Sequence, residues 1–175
     1  DCHTFFATLD ADFLAEWNAT RRAELGRFRA LDLEGRQLPG ATAEGAKFIS
    51  AHMERSDLTG ANLKGADFEG ADLLGAHLRG VRGQYVTFDR ANLTGTDLIG
   101  ANLASANFEG ADLIGTLLQG ANLTDAHLVG ADLRGAQLAG ANLTNARLGR
   151  ALLEGADFTG AILAVPIMVT IKILC

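Results

Sequence analysis

Little in this chain equips it for chemistry. Its two cysteines, Cys2 and Cys175, lie near opposite ends, so they form no thiol motif and decide no redox compartment. A disulfide between them would require both tails to fold back until the Cα atoms came within about 7 Å. The four histidines, His3, His52, His77 and His127, are scattered, and no pair has metal-ligand spacing. No basic stripe interleaved with aromatics is present, which weighs against direct nucleic-acid binding. The apolar stretch from Val165 to Cys175 is far shorter than the roughly 20 residues of a membrane helix. No signal peptide is recognisable, and the chain opens on Asp1 without Met, so it reads as a processed or trimmed product. At 175 residues it is one domain with caps, large enough to bury a core without staples.

What the chain does have is a beat of five. The register is small residue, polar residue, Leu or Phe, variable residue, usually Gly, as in Ala61-Asn62-Leu63-Lys64-Gly65 and Ala71-Asp72-Leu73-Leu74-Gly75. Every fifth residue from Leu33 to Leu163 is Leu, Phe or Met, apart from Ala43 and Gly83. No helix or ordinary sheet has that period, and a fixed short repeat dictates architecture before any other feature. The pattern resembles the pentapeptide-repeat family, whose signature is A(D/N)LXX. That resemblance implies a right-handed quadrilateral β-helix in which four pentapeptides form the sides of one square coil, and so an all-β solenoid. A second period agrees: Phe28, Phe48, Phe68, Phe88 and Phe108 are each twenty residues apart. Residues 26–165 make 28 pentapeptides, or about seven coils. At about 4.8 Å per coil the rod is about 34 Å long.

The composition follows from such a tube. One large side chain per side fills the interior, and a small residue sits near each corner. Each layer covers its neighbour, so stability is a sum of nearest-neighbour terms. Gly at the fifth position suits turns with positive φ, and Asn or Asp at the second can bond to local backbone.

The segments outside the array have a different grammar. Residues 1–25 read as a tail and an amphipathic helix in which Phe13, Leu14 and Trp17 share helical spacing and Gly26 fits the C-cap. The expected role is to cover the first coil, because solenoid ends expose strand edges. Residues 166–175 read as an apolar strand or cap. Ile167, Val169, Ile171 and Ile173 either plug the last coil, pair with a second copy in a homodimer, or dock on a partner.

Three features of the array are candidate recognition surfaces. Val81-Arg82-Gly83-Gln84-Tyr85 puts Gly where Leu should fill the core, while Val81 and Val86 stand where Ala is usual. A volume-conserving exchange explains this. A recognition bulge built on Arg82, Gln84 and Tyr85 is the sharper alternative. Next, the side centred on Leu33, Met53 and Leu73 carries Asp32, Glu34, Glu54, Asp72, Asp112, Asp132 and Glu154 against Arg55 and Arg134, a net of −5 within a chain total of −6. A solvated face is the default meaning of such a stripe. Last, Leu74, Ile99, Ile114 and Leu117, with Leu152 further along, occupy outward positions near one corner where polar residues are expected.

The resemblance adds expectations about function. Family members are frequent in cyanobacteria and thylakoid lumens, often without known activity. This implies a non-catalytic protein-interaction scaffold, a peripheral subunit of a lumenal or membrane-associated assembly. Thylakoid lumen or periplasm is favoured over cytoplasm as its compartment, with no cofactor. Some members instead imitate a DNA duplex and occupy a type II topoisomerase, which makes an acidic DNA mimic the alternative. Duplex DNA carries a charge every 1.7 Å or so, about 20 over this rod, and the chain nets −6. The loop insertions of the quinolone-resistance members are missing as well. Enzyme activity has no support, because a filled tube offers no concave site.

Overall fold

In the computed structural model, residues 32–163 are described. They form a continuous four-sided β-solenoid. Its 23 parallel bridges all join residues twenty apart, from Asp32 with His52 to Asn142 with Ile162. The first side is centred on Leu33, the second on Leu38, the third on Ala43 and the fourth on Phe48, and each recurs every twenty residues. The expected helix with Trp17, Phe28, and the tail bearing Ile167, Val169, Ile171 and Ile173 lie outside the described residues, as do the outermost pentapeptides of the seven-coil count.

One pentapeptide, Ser56 to Gly60, explains the motif through its five N–H groups. Leu58 and Gly60 donate to the following coil, at His77 O (2.7 Å) and Arg79 O (2.9 Å). Asp57 donates to the preceding coil at Arg36 O (2.8 Å), and Ser56 closes the corner turn on Met53 O (3.1 Å). The Thr59 N–H is the one that finds no backbone partner, and it donates to Asp57 Oδ1 at 2.9 Å. The same bond recurs at Asp72, Asn92, Asp97, Asn122 and Asn142. The second-position Asp or Asn is therefore a turn cap that satisfies an otherwise orphaned donor.

The fifth position has positive φ at every corner from Gly35 to Gly160, including eight that are not glycine. Positive φ at the third turn residue, with a conventional second residue, is the type II signature. Inside, the centre residues of every coil from Leu33 to Leu148 are buried. Phe48, Phe68, Phe88 and Phe108 stack with centroids 4.8, 5.1 and 5.2 Å apart, which matches the coil rise. Small slots on the second side hold the buried Thr96 and Thr116, whose hydroxyls donate to Leu73 O (2.9 Å) and Leu93 O (2.8 Å).

The missing core side chain at Gly83 is compensated from within. A Cβ there would lie 3.0 Å from Leu103 Cδ2 and 3.4 Å from Val86 Cγ1, and both Val81 and Val86 are buried. Leu103 and Val86 occupy the space a leucine side chain would enter, and Val81 is not among the atoms nearest that Cβ. The last coil departs from expectation: Leu163, placed in the core by the period, is 41% exposed, and Leu153 and Phe158 are only partly buried. Among the described residues no further layer covers them.

Candidate interaction surface

The fold displays its outward residues in columns that run along the rod, because the second and fourth positions flank each inward centre. The acidic side consequently has two populations. Asp32, Asp72 and Asp132 accept the N–H of Glu34, Leu74 and Arg134 (3.2, 3.1 and 3.1 Å), so they are turn caps first. Asp132 also pairs with Arg134 at 2.6 Å, which holds its carboxyl below the ordinary carboxylate value. Glu34 pairs with Arg55 at 3.4 Å and Glu54 lies 3.6 Å from His52 Nδ1. Asp72 accepts from the Asn92 amide at 2.9 Å. Asp112 and Glu154 are exposed, and among the described residues their side chains make no hydrogen bond or close ion pair, though both act on the Arg134 charge. Most of the stripe thus also serves the coil, as turn caps or in contacts with Arg55, Arg134 and His52, while its charge stays at −5 net.

The apolar corner divides. Leu74 and Ile114 are exposed, at 39% and 36%, two coils apart in one column with Thr94 between them. Ile99 and Leu117 are half-buried on the neighbouring second side, so they contribute edges rather than free faces. Leu152 is 51% exposed on the first side of the last described coil, and Ile162 and Leu163 are exposed on the third side. Ile162 and Leu163 were not legible as surface residues in the sequence, since they sit in an ordinary second and an ordinary core position.

At the repeat break, Gly83 is buried while Arg82 and Tyr85 are exposed, Tyr85 at 64%. His52, His77 and His127 fall on the first, second and fourth sides. Among the described residues no group of His, Cys, Asp and Glu could hold a metal ion, and no helix is long and apolar enough to cross a membrane.

The pentapeptide-repeat family model matches residues 27–65, 61–99, 101–138 and 136–164, in eight copies. The chain belongs to the pentapeptide-repeat family. Proteins of this family form right-handed quadrilateral β-helices, in agreement with the four-sided ladder. No curated protein sequence matches the chain. Among solved structures it is similar to a trypsin-treated variant of QnrB1, a plasmid-mediated fluoroquinolone resistance protein, at 24% identity. That match covers 78% of this chain and 76% of that one, with a TM-score of 0.60. It is also similar to HetL, a pentapeptide-repeat protein involved in heterocyst differentiation regulation in the cyanobacterium Nostoc, at 27% identity over 85% and 91% of the two chains (TM-score 0.25). A pentapeptide-repeat protein from the Arabidopsis thaliana thylakoid lumen matches at 28% over 76% and 65% (TM-score 0.21). At these identities and scores the likeness to QnrB1 speaks for the fold alone, and the other two carry no argument about function.

Proposed function

We propose that this pentapeptide-repeat rod is a non-catalytic scaffold that docks a protein partner through its surface. The observation that carries the reading is the exposed pair Leu74 and Ile114, in a column where polar or charged residues stand in the neighbouring coils (Glu54, Thr94, Arg134). Apolar side chains grouped on a rigid polar surface favour a partner that covers them. Ile99 and Leu117 extend the same contact across the corner. The N-terminal helix with Trp17 and the apolar tail at Ile167, Val169, Ile171 and Ile173 are further contacts on this reading, the tail including a homodimer seam among its uses. A peripheral place in a larger assembly, in a thylakoid lumen or periplasm, is its most concrete version.

The DNA-mimic alternative is weaker. The seven acids of the first side, against Arg55 and Arg134, leave it at a net of −5, whereas a duplex would present about 20 charges over this length. The test is affinity capture with the intact chain beside Leu74→Asp/Ile114→Asp. A partner held by the first and lost by the second, at unchanged melting temperature, supports docking at the corner. Equal recovery by both removes it, and recovery of a topoisomerase by both revives the mimic.

A further inference from the structure

One second-position carboxylate is not used by the coil. Every other Asp or Asn in that slot among the described residues, from Asp32 to Asp157, accepts the N–H two residues on. Asp112 does not. Its exposed side chain makes no hydrogen bond or close ion pair among the described residues, and it acts only at longer range on the Arg134 charge. The residue it leaves uncapped is Ile114, one of the two exposed apolar residues of the corner. Residues two apart on a strand point to the same face, so an unused carboxylate and an exposed apolar side chain stand together.

The surroundings carry the same sign and leave room. From Ala71 to Gly115 the outward first-side positions are Asp72 and Leu74, Asn92 and Thr94, then Asp112 and Ile114, with no cation among them. The cations around this stretch are engaged: Arg55 with Glu34, Arg134 with Asp132, and Arg90 with Glu69 and Asp89. The corner that follows is glycine, and a Cβ at Gly95 or Gly115 would meet nothing within 4 Å. Leu74 and Ile114 are two coils apart, about 10 Å along the rod at the spacing of neighbouring strands. An extended segment lying along the rod repeats on one face at about 7 and 14 Å and misses that interval. Seven residues of α-helix rise about 10.5 Å and return to nearly the same face. The turn between them then lies over the half-buried Thr94.

We propose that the partner docks as a basic amphipathic α-helix laid along the first side. Apolar residues at i and i+7 cover Leu74 and Ile114, and Lys or Arg on the flank above the second positions faces Asp112 and Asp72. The inference rests on docking at the apolar corner and adds the form and charge of what docks there.

The test is fluorescence anisotropy of the intact chain with three synthetic helical peptides. The first has leucines at i and i+7 flanked by lysines, the second has glutamates for the lysines, and the third keeps the first composition with its leucines on opposite faces. Leu74→Asp/Ile114→Asp and Asp112→Lys are titrated alongside, with melting curves for each. The first peptide should bind, and lose at least about tenfold in affinity against Leu74→Asp/Ile114→Asp. That loss is diagnostic, because two added carboxylates would tighten a merely electrostatic association. Asp112→Lys should weaken it severalfold, and the other two peptides should bind at least about tenfold less tightly than the first. No binding of the first peptide, equal binding of either control peptide, or affinity indifferent to the substitutions overturns the helix. Affinity capture separates this from the docking reading. A natural partner lost by Leu74→Asp/Ile114→Asp but held undiminished by Asp112→Lys leaves the corner standing and removes the basic helix.

Discussion

Two corners of the square coil make the most instructive pair. The corner after the second side is glycine in every described coil, from Gly40 to Gly160. The corner after the third side begins with Gly45 and Gly65 and then carries Tyr85, Ser105, Asp125 and Asn145. Their φ angles are nearly the same, 64 to 69° at the first and 56 to 65° at the second. Residue type therefore does not set the turn. The ladder on either side imposes it, through bonds such as Tyr85 N–H to Ala104 O (3.0 Å) and Val86 N–H to Gly83 O (3.2 Å). Corners are accordingly free to vary for recognition, at a conformational cost, while the sides are not.

That contrast predicts that a side deletion outweighs any corner exchange. Phe88→Ala empties a buried position between Phe68 and Phe108 and should cost about 3–5 kcal/mol in chemical denaturation. A loss no larger than that of a corner substitution would reverse the ranking of sides over corners. Gly83→Leu comes next. Its Cβ meets Leu103 and Val86, so overpacking should cost about 1–3 kcal/mol, and combining it with Val86→Ala should recover part of that loss. Additive losses instead would mean that Val86 does not fill the gap.

Corner exchanges are smaller. Gly100 has φ 66° and open space around its missing Cβ, so Gly100→Ala tests conformation alone and should lower stability by about 1 kcal/mol. Tyr85→Gly should raise it by a similar amount. Shifts of the same sign in the two variants would break the comparison. The smallest effect is with pH. Thr59 bonds to Asp57, the Arg134 bond to Asp132, and Thr159 bonds to Asp157 hold these carboxyls below their ordinary 3.8. A depressed folded pKa gives stability that is full above the unfolded value and lost as pH falls through the folded one. The melting temperature should therefore be flat above pH 3.8 as far as these groups are concerned, and fall below it. Asp57→Asn, which keeps the cap but not the charge, should shallow that fall.

Much of this was legible in the sequence because a period of five leaves few alternatives. The centre residues, the glycine corners, the Asx caps and the Gly83 compensation each follow from one slot of the motif. Surface detail was less legible. Ile99 and Leu117 read as outward, yet they are half-buried, because a long side chain lying on a flat side is shielded by neighbours one coil away. The ion pairs also depend on side-chain reach: on the acidic first side Arg55 meets Glu34 twenty-one positions back, and on the second side Arg79 meets Asp97 eighteen ahead. No local motif announces such pairs. The partial exposure of Leu153, Phe158 and Leu163, at the end of the described residues, was hidden because their letters are those of any other coil.

The claim that this rod works by docking a protein on one corner is tested most directly by crosslinking. A photo-reactive residue would replace Ile114 in one protein and Thr144, on the third side, in another, each exposed to a native extract and analysed by mass. The account predicts one defined protein adduct from position 114 and none of that protein from position 144. The same adduct from 144 alone, or equal yields from both, would contradict it.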